Sequence, residues 1–378
     1  MFDIILTFSI SRLDSYYLNI VKELSNKFSI GMYMGKFSDK ARIKNSNTDR
    51  LFLSKCEELG ASILKEGKYA CKLLLVNQNT VGTEDRMVYL MEHISYENVI
   101  VTQLFSQGKG SLENMKRFRM KKLWVYERKV LEGMLKDEKQ EDAANGIEIT
   151  DIEFPYRKYP ALDFSGLEID YLIAMPTKVF RRDKANEAKL LQNMKRLLKS
   201  MPKEKTVYVK QHNAKDIESG SMIYSMQSKY ALFVKYVYFF LKTGIKKILM
   251  RKAKWSDAIN DIRITNARMF IEKRSRLLSE ITKYHNFNIE LFLPFVRDGI
   301  ITGISSCIFH SFLNRLPVYN CDDQPFTVES PNYNSYKSFY IPSCNGRLEF
   351  DPANFDLVRG CQSKHDMIDF IKEELSRE

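Results

Sequence analysis

The sequence predicts an α/β fold made of two successive doubly wound units, on three observations. Short apolar runs alternate with amphipathic stretches of helical spacing along both halves of the chain. A polar and proline-bearing region, Asp137 to Pro160, interrupts the alternation once. A last unit, Gly299 to Tyr319, reads strand, small-residue turn, helix, strand.

In chain order, Asp3 to Phe8 reads as a first buried strand, Ser11 to Asn26 as a helix with Tyr17, Ile20, Val21 and Leu24 on one face, and Phe28 to Tyr33 as a second strand. Leu51 to Leu59 and Asp85 to His93 have helical spacing; Cys71 to Val76 and Asn98 to Thr102 are strands, and Leu123 to Tyr126 is another. Polar Asp137 to Asp142 ends this unit, and Pro155 and Pro160 cannot sit in a helix interior or central strand. The domains are therefore expected at 1–155 and 156–378. The second unit resumes with a strand at Tyr171 to Ala174, a helix at Lys184 to Ser200 and a strand at Thr206 to Lys210; a helical insertion of about residues 217–285 then precedes the strand Gly299 to Gly303.

Composition limits the function. An apolar content of 44% with 12% aromatics excludes general disorder. A formal charge of +12 favours anionic partners without choosing among nucleotides, lipid headgroups, nucleic acid and acidic glycans. Six cysteines without a CxxC pair suggest reduced thiols rather than a zinc site or disulfide framework. Met1 to Leu6 has no basic n-region and reads as a core strand, not a signal peptide; no apolar run reaches bilayer-spanning length. The expected location is cytoplasmic.

Within the insertion, Lys229 to Trp255 interleaves Tyr, Phe and Leu with Lys235, Lys242, Lys246, Lys247, Arg251, Lys252 and Lys254, and holds no acid. Such a segment suits an anionic membrane surface, its lysine stems snorkelling while the apolar face enters the headgroups; a basic helix packed on the core is the alternative. No nucleic-acid-binding motif accompanies it, so nucleic acid is not an expected partner.

Two strand ends carry the chemistry. The turn Gly303-Ile304-Ser305-Ser306 would present two hydroxyls and unpaired backbone N–H groups at a helix N-terminus, a favourable place for phosphate. The strand ending Lys210-Gln211-His212-Asn213 would project Lys210 and His212 into the same crevice, because ligands in open α/β sheets bind beyond the carboxyl ends of strands. Lys210 would neutralise phosphate; His212 would donate a proton to the leaving oxygen or position it. In isolation the same strand fits a surface lysine and a turn histidine.

A strand closing in Lys-x-His and, after a long gap, Asp-Gly-Ile-Ile-Thr-Gly-Ile-Ser-Ser before a helix and Leu-Pro-Val-Tyr, resembles the donor half of GT-B glycosyltransferases of bacterial surface polysaccharide synthesis. The nearest patterns are those of the sialyltransferase, Kdo-transferase and CDP-glycerol glycerophosphotransferase families. The resemblance covers Val207 to Asn213 and Asp298 to Tyr319. It implies two Rossmann-like domains, a nucleotide-sugar donor with a cytidine nucleotide slightly preferred, held by Lys210, Gly303, Ser305 and Ser306, and a lipid-linked or surface-glycan acceptor in the N-terminal half. Lipopolysaccharide or capsule synthesis at the inner face of the cell membrane would be the setting. CDP-polyol phosphotransfer, or nucleotide and glycan binding without catalysis, would use the same donor half.

The resemblance has departures. Asn213 replaces the proline of those families, and neither an acidic triplet with glycine nor a His-Gly follows an N-terminal strand. Catalytic candidates there come from position: Asp14 after the first strand, which equally suits the first turn of a helix, and Glu127 after Trp124-Val125-Tyr126. Arg12 and Lys109, the latter read in a Gly108-Lys109-Gly110 turn, are acceptor-binding candidates or solvated loop residues. His310 fits a core position, and Asp322 and Asp323 either meet the donor's sugar or ribose or cap a turn. No Asp-x-Asp triplet occurs, so transfer is expected without a metal ion or other cofactor.

Overall fold

The computed structural model describes residues 1–9, 14–34, 47–103, 109–125, 128–137, 141–156, 158–164, 166–174, 184–210, 255–303, 307, 311, 316–321, 340–342, 347–350 and 365–376. The first half runs β1 (Phe2–Thr7), α1 (Tyr17–Leu24), β2 (Ile30–Tyr33), α2 (Asn47–Glu58), β3 (Ser62–Leu64), β4 (Tyr69–Asn77), the single turn α3 (Gln78–Val81), α4 (Glu84–His93), β5 (Ile94–Gln103), α5 (Lys109–Arg117), β6 (Lys122–Val125), α6 (Arg128–Asp137) and β7 (Glu148–Glu153). The second runs β8 (Ile169–Ala174), α7 (Lys184–Ser200), β9 (Val207–Lys210), α8 (Trp255–Arg274), β10 (Arg276–Leu277), β11 (Val296–Thr302), β12 (Val318–Asn320), β13 (Tyr340–Pro342) and β14 (Arg347–Phe350). The strand β15 (His365–Asp366) and helix α9 (Met367–Ser376) follow.

Two sheets result. The first has the order β15-β7-β6-β5-β4-β1-β2-β3, with every pairing parallel. The second has the order β10-β9-β8-β11-β12-β14-β13, parallel from β10 to β12 and antiparallel beyond. Parallel strands covered on both faces must be apolar on both, which is why Ile4 to Leu6 of β1 and Leu73 to Val76 of β4 read as hydrophobic runs. In β4, Leu73 and Leu75 enter one core while Leu74 and Val76 enter another. In the second sheet, Leu172, Tyr208 and Ile300 face the first core, and Ile173, Val209 and Ile301 face a third beneath α7 and α8.

The shared core joins the two sheets. Phe8, beyond the end of β1, stacks on Phe52 of α2 at 5.4 Å; Phe52 meets Phe287 at 5.9 Å, and Phe164 stacks on Phe292 at 5.3 Å. The segment 284–293 thus lies between the carboxyl end of β1 and the second sheet, with its Phe287 and Phe292 rings buried.

Three local features differ from the sequence expectation. Lys109 and Gly110 begin a helix instead of forming a turn, because Leu112 and Met115, three residues apart, are both buried against the first sheet. Glu148–Glu153, inside the region expected to break the rhythm, is a strand of the first sheet. The described end of the expected insertion is not an excursion: α8 lies on α7 through Ile264, Ala267 and Ile271, and β10 extends the sheet beside β9. Residues 211–254, which hold nearly all of the basic aromatic segment, lie outside the described residues. No helix among the described residues is long and apolar enough to cross a membrane.

The chain's last described elements return to the first sheet. His365 and Asp366 pair with Ile152 and Glu153; Phe370 stacks on Trp124 at 5.1 Å; Lys122 Nζ donates to the buried Glu374 carboxylate at 2.7 Å.

Candidate functional site

The carboxyl ends of the second sheet's strands form one row. Ala174 of β8 pairs with Lys210 of β9 on one side and with Thr302 of β11 on the other. With strands roughly 4.8 Å apart, the backbones of Lys210 and Thr302 are about 10 Å apart across that edge. Thr302 donates its hydroxyl to the Ala174 carbonyl at 3.0 Å, which fixes the row, and Gly303 follows immediately, buried. The structure therefore brings Lys210 and Gly303 to one sheet edge. Ser305, Ser306 and His212 lie outside the described residues, as do Arg12 and Glu127.

A close approach shapes β11 just below this edge. Gly299 has φ +146°, and a Cβ there would come within 2.6 Å of the Pro317 carbonyl oxygen. The β8–β11 register shifts between Val296 and Gly299, so glycine sits at an irregularity that a side chain would obstruct.

Lys210 is 5% exposed. Burial lowers its pKa from 10.5 to about 8, partly opposed by the thiol of Cys307 and the carboxylate of Glu290. Its ammonium lies 5.9 Å from the Phe292 ring centre, within cation–π range. Glu290, on the short 3-10 turn Ile289–Leu291, is 1% exposed. His285 is held low first by burial and also by the Lys210 charge, against the opposing effect of its contact with the Thr282 carbonyl at 3.1 Å. A buried cation, a buried carboxylate and an imidazole thus occupy the 285–292 side of the edge.

On the first sheet, Asp14 is fully buried and its carboxylate accepts the Ser9 N–H at 2.6 Å and the Ser9 hydroxyl at 3.2 Å. It closes the loop after β1, with its carbonyl accepting from Tyr17 N at the start of α1. Around it, Ser15 and Tyr156 share a hydrogen bond of 2.7 Å, and Tyr16 and Thr102 one of 2.6 Å. Asn77, at the end of β4, donates its backbone N–H to the Thr7 hydroxyl at 3.0 Å and accepts on its side-chain oxygen from Thr80 N at 2.8 Å. Burial pushes the Tyr156 phenol up, and Glu290 adds to this more than Asp14 does. Tyr156 therefore stands electrostatically between the acids of the two halves.

Lys109 begins α5, on the chain that follows β5. Sequence reasoning missed Glu290, Tyr156 and His285. The available signals were a lone acid inside the apolar run Ile289 to Phe295 and a tyrosine between two prolines. Among the described residues no group of three His, Cys, Asp or Glu side chains is placed to hold a metal ion, and Cys56, Cys71, Cys307 and Cys321 form no disulfide.

No protein-family model and no curated relative matches the chain. Among solved structures it is similar to a glycosyltransferase from Rickettsia africae, with 10% identity, 100% of this chain and 99% of that chain covered, and a TM-score of 0.43. A likeness at that level assigns neither family nor activity.

Proposed function

We propose that this protein is a metal-independent glycosyltransferase of GT-B type that moves a sugar from a nucleotide donor to a lipid-linked or surface-glycan acceptor. One observation carries the reading: a lysine 5% exposed closes an inner parallel strand at the carboxyl edge of its sheet, beside Phe292 and Glu290. The carboxyl edge of a parallel sheet is where α/β proteins bind phosphate, and a lysine that ends a strand there is placed to meet its charge.

In this reading the donor pyrophosphate or phosphate lies along the row Lys210, Thr302, Gly303, with Ser305 and Ser306 completing the cradle. The acceptor hydroxyl attacks the anomeric carbon, the bond to the phosphate oxygen breaks with its electron pair passing to that oxygen, and Lys210 meets the developing charge. His212, two residues beyond Lys210, protonates or positions the leaving oxygen. The base that takes the acceptor proton is drawn from Glu127 and Asp14; Asp14's bonds to Ser9 favour a structural role for it. Arg12 and Lys109 would hold the acceptor, and residues 229–255 would dock the enzyme on the inner face of an anionic membrane. A cytidine nucleotide is the first donor to try.

Incubation with a panel of cytidine, uridine and guanosine sugar donors and lipid-linked acceptors, read by mass spectrometry, tests the reading. Sugar on the acceptor with stoichiometric nucleotide release is expected from one donor class. Transfer of a phosphorylated polyol, or no release from any donor, would refute sugar transfer.

A further inference from the structure

We infer that the outer face of α7 and α8 is a second, separate docking surface for an anionic membrane. Among the described residues the exposed large apolar side chains are Met1, Val88, Ile259 and Ile262, so two of the four lie on α8, 45% and 43% exposed. At 100° per residue, Ile259, Ile262, Arg263, Asn266 and Phe270 share one stripe of α8. That stripe is distinct from Ile264, Ala267 and Ile271, which are buried against α7.

Cations border the stripe. Lys195 and Lys199 of α7 lie 5.8 and 5.6 Å from the Phe270 ring centre, and Lys195 donates to Asn266 Oδ1. Gln192 donates to the Arg263 carbonyl at 2.8 Å, which holds the two helices in this alignment. The Lys195 ammonium is disfavoured, first by burial and then by Lys199, so an added anion would relieve it. Exposed apolar side chains with Arg263 in their stripe and Lys195 and Lys199 beside its Phe270 end match an interface of acyl chains and anionic headgroups.

This surface does not depend on the proposed transfer chemistry, and its test is read without turnover. Full-length protein is sedimented with phosphatidylcholine vesicles with and without about 30% phosphatidylglycerol. Wild type is expected to partition onto the anionic vesicles only. Lys195→Gln with Lys199→Gln should weaken partitioning about 30-fold, the equivalent of about 2 kcal/mol. Ile259→Gln with Ile262→Gln should weaken it at least tenfold, roughly the loss expected when a small apolar anchor is removed. Both variants should retain the wild-type melting temperature. Wild-type partitioning by either folded double variant would overturn the inference, leaving residues 229–254 as the sole anchor. So would binding of wild type to neither vesicle, or a concentration-dependent dimer abolished by the isoleucine changes, which would make the stripe a contact between copies.

Discussion

Replacing Lys210 by methionine separates the energetic cost of this residue from its use. In the folded protein the ammonium deprotonates at about 8 rather than at 10.5, because burial disfavours the charged form. Between those values the unfolded chain holds the proton while the folded chain has lost it. Stability rises with pH wherever the unfolded state binds more protons, so the destabilisation by Lys210 is fully present below pH 8 and is relieved as pH climbs. For a group with these two pKa values the relief between about pH 7 and about pH 9.5 amounts to about 2 kcal/mol. Urea denaturation of wild type and Lys210→Met across that range reads this contribution together with that of the groups its charge acts on, the remaining titrating groups being common to both. The wild type should gain about 2 kcal/mol relative to the variant on going to the alkaline end. A difference that stays flat, or that narrows in the opposite direction, would show that Lys210 is solvated and would remove the basis for a pre-charged phosphate site.

Other expectations follow from particular contacts. Gly299→Ala should destabilise by about 2–4 kcal/mol in chemical denaturation, because φ +146° and the Pro317 carbonyl at 2.6 Å leave no room for a Cβ; an unchanged midpoint would contradict the close approach. Asp14→Ala should cost about 1–3 kcal/mol by stranding the Ser9 donors, with turnover of the folded fraction within a few fold of wild type. A collapse of kcat at unchanged stability would instead make Asp14 the base. Truncation before His365 should expose Trp124, which Phe370 covers, and shift its fluorescence to the red; emission insensitive to truncation in a Trp255→Phe background would contradict that packing.

Much of the fold was legible because parallel strands buried on both faces leave unbroken apolar runs, as in Ile4 to Leu6 and Leu73 to Val76. β7 was not, because Glu148-Ile149-Thr150-Asp151-Ile152-Glu153 buries only Ile152 completely and otherwise reads as polar. The helix at Lys109 was hidden by its flanking glycines, whose turn propensity is overridden by two buried side chains on the first sheet. Pairing of His365 and Asp366 with β7 joins residues 213 or more positions apart by way of backbone bonds, which periodicity cannot reveal. At the site, Lys210 and Gly303 were legible because strand ends and glycine turns are local signals. Glu290 and Tyr156 acquire their roles from burial between two units, a property of packing alone.

The most direct test of the central claim is calorimetric titration of CMP, UDP and GDP into wild type and Lys210→Met at a pH near 8.5, in two buffers of different ionisation heat. Phosphate binding beside Lys210 should restore its proton, so wild type is predicted to bind one nucleotide class with proton uptake, and the variant to bind at least tenfold more weakly with none. Undiminished nucleotide binding by the variant, or none by wild type, would contradict the account.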